Sequence, residues 1–234
     1  MIQFIKISFI VFGKVVRFMV ARTEYNVDKM YTYLRGFLVG SKFKQSVIAL
    51  QYAREKHKDQ TRKNGVPYIV HPLSMACYAA ALGLDDDNIF ATILLHDIPE
   101  DCGVEIEHLP VNDTVKCAVK CMTVVKYKTD KSKIDTKMRY FHNLLDSREA
   151  VICKALDRYN NLSDMPFALT DDAIGKNVAE TEVLLLPMLK EAKEKWADLS
   201  DILFVLKTNI RTLNDILKLK YEDNYNDWLS KYES

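Results

Sequence analysis

The sequence predicts an all-α fold. Apolar residues recur at intervals of three and four along most of the 234 residues, which is the period of an amphipathic helix, while the alternating runs typical of strands are scarce. An Asn64-Gly65 pair and six prolines interrupt this pattern, so the helices should be of ordinary globular length. Hydrophobic residues make up 48% of the chain, which is enough for one large core, and we therefore expect a single domain.

Capping residues and helix breakers place the elements in order. Ser41 is a good N-cap residue and should precede a helix, and Pro72 in a first turn should open the next one. The acidic run 85–87 can cap a further helix, which should end near Pro99 because proline removes a helical hydrogen bond. The remaining predicted helices span 113–125, 131–145, 149–165, 178–199 and 202–219.

The first twenty residues are strongly apolar and carry three interspersed charges, Lys6, Lys14 and Arg17. Drawn as a helix, these charges fall within about a third of the circumference. We therefore predict that segment 1–40 begins with an amphipathic helix that is too interrupted to span a membrane. Three interpretations are open: a helix docked on the domain or on a second subunit, an anchor at a membrane surface, or a start upstream of the real one at Met19.

The charge balance and the cysteines limit the partners and the compartment. Acidic and basic residues number 32 and 33, which argues against a surface devoted to nucleic acid or to anionic lipid. The five cysteines show no C-x-x-C spacing, so neither a disulfide framework nor a zinc ribbon is indicated. We expect a cytoplasmic protein without a nucleic-acid partner, and the sequence leaves the oligomeric state open.

Four acidic or imidazole side chains lie within six positions: His96, Asp97, Glu100 and Asp101, directly after the apolar run 89–95. On one helix, residues four apart lean toward the same side. Placing three carboxylates and an imidazole beside an apolar stripe costs desolvation and repulsion, and a divalent cation offsets both. The cluster therefore predicts a metal-dependent catalytic site.

Other segments supply what this cluster lacks. His71 adds a second imidazole, Asp157 a further carboxylate and Asn161 an amide. With His96 and Asp97, they make a mixed set of imidazole and carboxylate donors, which suits an octahedral cation such as Mn²⁺ better than a closed tetrahedral zinc site. We expect Mn²⁺, with Mg²⁺, Fe²⁺ or Co²⁺ as alternatives.

Four motifs occur in order along the chain: 60–63 (QTRK), 65–72 (GVPYIVHP), 94–101 (LLHDIPED) and 155–162 (ALDRYNNL). Taken together, they resemble the HD-superfamily metal-dependent phosphohydrolase domain of RelA/SpoT-type proteins and of the small alarmone hydrolases. The resemblance covers about residues 42–191, and its fold is a single HD-domain helical bundle. It implies an HD hydrolase domain over 41–195, with a C-terminal helical extension, 196–234, packed on the same domain.

This resemblance implies a function and a role for single residues. Such enzymes use manganese to remove the 3′-pyrophosphate from guanosine tetraphosphate or pentaphosphate, by means of a metal-activated water, so a small phosphorylated nucleotide is the expected substrate. A carboxylate next to that water can accept its proton. The implied roles are metal binding for His71, His96, Asp97 and Asp157, water activation for Glu100 and Asp101, and substrate binding for Arg62, Lys63, Tyr68, Arg158 and Asn161.

Two departures from the family pattern leave the substrate open. Where relatives often carry a Phe-Gly pair after the Glu-Asp motif, this chain has residues 110–113 (PVND), and Asp164 stands where threonine is common. One alternative is a phosphatase that acts on another phosphorylated nucleotide or on a cofactor such as NADPH. The other is a module that binds an alarmone without hydrolysing it. The basic stretch 126–139 is either a solvated surface or a gate that attracts a polyphosphate.

Overall fold

The structure is a computed structural model that describes residues 4–11, 14–21, 26–62, 65–128 and 132–233. Helices dominate the described chain, which confirms the predicted all-α class. Those before residue 123 are α1 (Val27–Gly40), α2 (Lys44–Lys56), α3 (Val70–Ala81), α4 (Asp87–Leu95), α5 (Ile98–Cys102) and α6 (Asp113–Met122). Those after it are α7 (Lys133–Leu144), α8 (Arg148–Ala168), α9 (Asp171–Glu180), α10 (Leu186–Lys195), α11 (Ser200–Lys220) and α12 (Glu222–Glu233).

The N-terminal segment differs from the prediction. Instead of an amphipathic helix, its backbone forms two antiparallel strands, β1 (Phe4–Val11) and β2 (Lys14–Ala21), which pair from Phe4 with Ala21 to Val11 with Lys14. The helix prediction was wrong because it weighed only the spacing of the charges. The segment is rich in isoleucine, valine and phenylalanine, and β-branched and aromatic residues favour the extended backbone.

Helix α4 lies at the centre of the core, where α2, α3, α6 and α8 all contact it. Every residue from 89 to 95 is buried, because neighbours surround this helix on all sides. Full burial of one large aliphatic or aromatic side chain contributes about 1.5–3 kcal/mol. Leu34 and Leu38 of α1 are also completely buried, so α1 belongs to the same core. The end of α4 is consequently a rigid place from which to present functional side chains.

The helix caps agree with the sequence in part. Asp86 caps α4, since its carboxylate accepts hydrogen bonds from the backbone N–H groups of Asn88 and Ile89. Pro72 lies in the first turn of α3, as expected. Ser41, by contrast, follows the end of α1 and does not cap α2, which begins at Lys44.

Helix α12 lies within the C-terminal extension 196–234, beyond the last helix that the sequence predicted individually, and it packs on α9. The two helices approach closely at Gly175, where a Cβ atom would lie 2.5 Å from the Cβ of Asn224. Trp228 Nε1 donates a hydrogen bond to Asp172 Oδ1 at 2.8 Å and joins the helices at another point. The predicted helix 178–199 is in fact divided, because a π-helical turn, Thr181–Leu185, separates α9 from α10. Within the described residues, every helix is too short or too polar to cross a membrane.

Candidate metal centre and adjoining pocket

His96 and Asp97 lie at a break between two helices. Helix α4 ends at Leu95, and α5 begins at Ile98 with Pro99 in its first turn. The sequence predicted that this helix would end near Pro99, and the structure ends it at Leu95, because proline has no N–H to donate and is tolerated best in the first turn of a new helix. The break leaves His96 and Asp97 at the rim of the core, with the five-residue helix α5 directly after them.

Four of the predicted site residues meet around one position. The candidate ligand atoms of His71, His96 and Asp97 all lie within 4.8 Å of one another. His71 Nε2 lies 3.6 Å from Asp97 Oδ2 and 3.4 Å from Asp157 Oδ1, and His96 Nε2 lies 3.1 Å from Asp97 Oδ2. Helix α3, the α4–α5 break and helix α8 therefore bring together two imidazoles and two carboxylates.

The orientation of both imidazoles suits a metal ion. His71 Nδ1 contacts Asn160 Oδ1 at 2.7 Å, and His96 Nδ1 contacts the carbonyl oxygen of Ile93 at 2.9 Å. Because each oxygen accepts, each Nδ1 donates, and the Nε2 lone pairs are directed at the carboxylates. His96 Nε2 is buried and has no hydrogen-bond partner in the described part of the chain. A buried nitrogen of this kind, among acidic oxygens, fits a bound cation.

The two carboxylates are held by donors from the surrounding elements. The Tyr68 hydroxyl donates to Asp97 Oδ2 at 2.6 Å. Lys154 Nζ donates to Asp157 Oδ2 at 2.8 Å, and Asn161 Nδ2 donates to Asp157 Oδ1 at 2.6 Å. Such contacts fix the direction of carboxylate oxygens and are the usual surroundings of metal ligands.

The electrostatics of the cluster favour positive charge at its centre. Burial alone would lower the pKa of His96, but the Asp97 carboxylate outweighs it and raises that pKa to about 9. Burial alone would raise the pKa of Asp97, but His96 and His71 lower it below its ordinary range. The pKa of Asp157 is also held well below its ordinary value, against burial, chiefly by Lys154. Both carboxylates are therefore ionised and can attract a cation.

Glu100 and Asp101 follow the cluster on the exposed surface of α5. Gln60 Nε2 donates to the backbone oxygen of Asp101 at 3.0 Å and ties α5 to the turn after α2. His57 stacks on Tyr68 with ring centroids 4.6 Å apart and supports the same turn. Burial, followed by the charges of Asp97 and Asp101, raises the pKa of Tyr68 well above its ordinary value, which keeps this hydroxyl a donor. Tyr68 thus lies next to both Asp101 and Asp97 of the cluster.

A pocket of about 340 Å³ adjoins the cluster. Arg62 crosses it and donates to Asn160 Oδ1 at 3.1 Å, Asn161 Oδ1 at 2.8 Å and Asp164 Oδ2 at 2.8 Å. Lys63, the other basic residue predicted to bind substrate here, lies outside the described residues. The lining residues are Thr61, Arg62, Tyr68, Asn161, Asp164, Met165, Ala168, Leu169 and Asn177.

Arg158 makes contacts that differ from those expected of a phosphate-binding arginine. Its side chain is 4% exposed, and its guanidinium group donates to Glu180 and to the backbone and side-chain oxygens of Asn177. Lys137 Nζ lies 3.3 Å from the other oxygen of Glu180. These contacts give Arg158 a structural function: they join α8 to α9 behind the metal-ligand candidates.

We expect Glu180→Gln to destabilise the protein by about 3 kcal/mol at pH 7, because it leaves the buried Arg158 and the partly buried Lys137 without their anion. Burial raises the pKa of Glu180, but Arg158 and Lys137 outweigh it and lower the pKa from 4.5 to about 2. The stabilisation is therefore fully present above about pH 4.5 and is lost as the pH falls toward 2. Urea unfolding at pH 7 and pH 3 should show a smaller gap between variant and wild type at pH 3. An equal difference in unfolding free energy at pH 7 and pH 3 would show that the ionised Glu180 does not stabilise the protein in this way.

The sequence analysis missed two residues that support the cluster. Asn160 accepts hydrogen bonds from both His71 and Arg62, and Lys154 pairs with Asp157. The available signal was helical spacing, since residues 154, 157, 160 and 161 of α8 are three or four apart and share one face.

Comparison with known proteins agrees with this geometry. A family model for the HD domain matches residues 49–166, half of the chain. The chain therefore belongs to the HD domain family.

Its relatives are of the RelA/SpoT type, which confirms the resemblance seen in the sequence. A protein of Aquifex aeolicus named guanosine-3′,5′-bis(diphosphate) 3′-pyrophosphohydrolase is 31% identical over 160 residues, which are 64% of this chain and 23% of that protein. A probable GTP pyrophosphokinase of Mycobacterium leprae is 30% identical over 167 residues, or 68% of this chain and 21% of that protein. The chain thus spans about a quarter or less of the length of these curated relatives.

The chain is also similar to a solved structure that is described by the words "A metazoan ortholog of SpoT hydrolyzes ppGpp and plays a role in starvation responses". It is 23% identical in sequence and has a TM-score of 0.45. The match covers 78% of this chain and 94% of that one.

Proposed function

We propose that this protein removes the 3′-pyrophosphate from guanosine tetraphosphate or pentaphosphate. The observation that carries the proposal is the meeting of His71, His96, Asp97 and Asp157 beside a pocket that contains Arg62. The curated relatives include proteins named for this reaction, and they share the HD domain with this chain.

An HD domain implies a divalent metal ion, and we propose Mn²⁺ bound by His71, His96, Asp97 and Asp157. Two imidazoles and two carboxylates match the mixed nitrogen and oxygen ligation that Mn²⁺ accepts, and an octahedral ion would keep two positions for water and substrate. When bound, the metal ion would polarise the phosphate oxygens and lower the pKa of a coordinated water.

The protein's own residues would position the metal ligands and deprotonate the attacking water. Hydrogen bonds at Nδ1 hold His71 and His96 in the tautomer that presents Nε2. The Tyr68 hydroxyl keeps one oxygen of Asp97 in a fixed direction. Glu100 and Asp101, on the exposed turn next to the cluster, are the carboxylates that would accept the proton of the attacking water.

In this proposal, the pocket that adjoins the cluster binds the substrate. Arg62, Tyr68 and Asn161 line it and would contact the nucleotide. Lys63 follows Arg62 in the chain, and we propose that it contacts the phosphates. Arg158 would contribute only indirectly, because its guanidinium group is bound to Glu180 and Asn177.

The test is turnover by purified protein with defined metals. After removal of metal by a chelator, activity should return with Mn²⁺, and pyrophosphate should be released from the 3′ position of guanosine tetraphosphate. A panel of other phosphorylated nucleotides, with NADPH included, should give much slower release. Preferred release of inorganic phosphate from another member would overturn the substrate assignment, and nucleotide binding without any product would overturn the enzymatic one.

A further inference from the structure

Arg62 and Asp164 oppose each other inside the pocket. Arg62 Nη1 lies 2.8 Å from Asp164 Oδ2, and their side chains are only 19% and 12% exposed. Of the described residues that line the pocket, Arg62 is the one cation and Asp164 the one anion. The lining residues that the structure describes thus carry no net charge, although an arginine at this point alone would make the pocket cationic.

Arg62 is also connected to the metal-ligand candidates. It donates to Asn160 Oδ1, the atom that His71 Nδ1 contacts, and to Asn161 Oδ1, whose amide group donates to Asp157. With Asp164 as its third acceptor, the guanidinium group is held in one orientation. An arginine whose donors are used in this way, and whose charge is neutralised, attracts a phosphate much less than an unpaired arginine does.

We propose that Asp164 determines which part of the substrate this pocket accepts. By cancelling the charge of Arg62, it makes the pocket a site for the uncharged nucleoside part of a nucleotide, while the phosphates lie toward the metal centre. The inference rests on the proposed function in that it takes a phosphorylated nucleotide as the ligand. It concerns a position where this chain differs from the threonine that is common in the family it resembles.

The test is calorimetric binding of guanosine and of guanosine 5′-diphosphate to the metal-free protein, so that it does not depend on turnover. In Asp164→Asn, the unopposed charge of Arg62 should tighten binding of the diphosphate about fivefold at low ionic strength, because two charges about 4 Å apart in a water-filled pocket interact by about 1 kcal/mol. Binding of guanosine should change less than twofold. The gain for the diphosphate should largely disappear in high salt.

Three controls make the result specific. Asp164→Glu keeps the negative charge and should retain the ratio of the two affinities seen in the wild type. Asp201→Asn removes an exposed carboxylate at the start of α11 and should change neither affinity. Asp164→Thr serves as a second neutral variant if Asp164→Asn does not fold, and it should behave in the same way.

Equal changes in the affinities of both ligands would overturn the proposal, because they would show that Asp164 affects the packing of the pocket or contacts the guanine base. Weaker diphosphate binding in the neutral variants, or no measurable binding of either ligand to any version, would overturn it as well. A protein that failed to release pyrophosphate but showed the expected shift in the affinity ratio would refute the proposed reaction and retain the specificity assignment.

Discussion

Asp97→Ala should abolish turnover because it removes metal binding. Asp97 Oδ2 lies near both imidazoles, at 3.1 Å from His96 Nε2 and 3.6 Å from His71 Nε2. Loss of a residue that only orients a metal ligand reduces metal affinity by about 10–100-fold. Loss of a ligand itself should therefore reduce metal affinity by more than about a hundredfold. Metal content after dialysis, measured by elemental analysis together with the rate of pyrophosphate release, checks both effects.

The matched control is Asp201→Asn, which changes an exposed carboxylate of α11 and should retain metal and activity. Thermal unfolding of the metal-free proteins shows whether Asp97→Ala still folds. A folded Asp97→Ala protein that kept the metal with wild-type affinity would remove Asp97 from the ligand set.

Glu100→Gln should retain the metal and lose about 10²–10⁴-fold in kcat, the usual contribution of a general base. Glu100 is exposed on the first turn of α5, three residues after Asp97, so its replacement leaves the buried ligand cluster intact. Glutamine has nearly the same shape but cannot accept a proton, so binding of the nucleotide should change little. Steady-state kinetics and metal analysis of the same preparation separate these two effects.

Asp101→Asn, made in parallel, assigns the roles within the acidic pair. The carboxylate whose loss reduces kcat more is the base, and the other one orients the water. Glu105→Gln, an exposed glutamate just beyond α5, is the control and should leave kcat unchanged. If both members of the pair could be neutralised without loss of kcat, the proton would have to leave by a different route.

The parts of the site that could be predicted were those that local sequence encodes. The apolar run 89–95 predicts a buried helix, and a motif that combines His96-Asp97 with Pro99 predicts charged groups at its end. That His71 and Asp157 reach the same position could not be derived from periodicity, because it depends on how α3 and α8 pack against α4. The ordered set of family motifs supplied that information instead.

Tertiary contacts and local propensity explain what the sequence did not show. The resemblance implied substrate binding for Arg158, whereas the structure shows its guanidinium group bound to Glu180 and Asn177, on a helix about twenty positions further along. The pairing of Arg62 with Asp164 joins residues 102 positions apart and was equally hidden. At the N-terminus, the helical interpretation failed because the β propensity of isoleucine, valine and phenylalanine was not considered.

The close approach of α12 to α9 at Gly175 links α12, through a series of contacts, to the candidate metal centre. Since residue 175 has no side chain, α12 lies directly against α9. Helix α9 holds Arg158 through Asn177 and Glu180, and Arg158 follows Asp157 in the chain. Helix α12 therefore supports, through α9 and Arg158, the position of Asp157, one of the metal-ligand candidates. A fusion or cleavage that displaced α12 should also disturb that carboxylate.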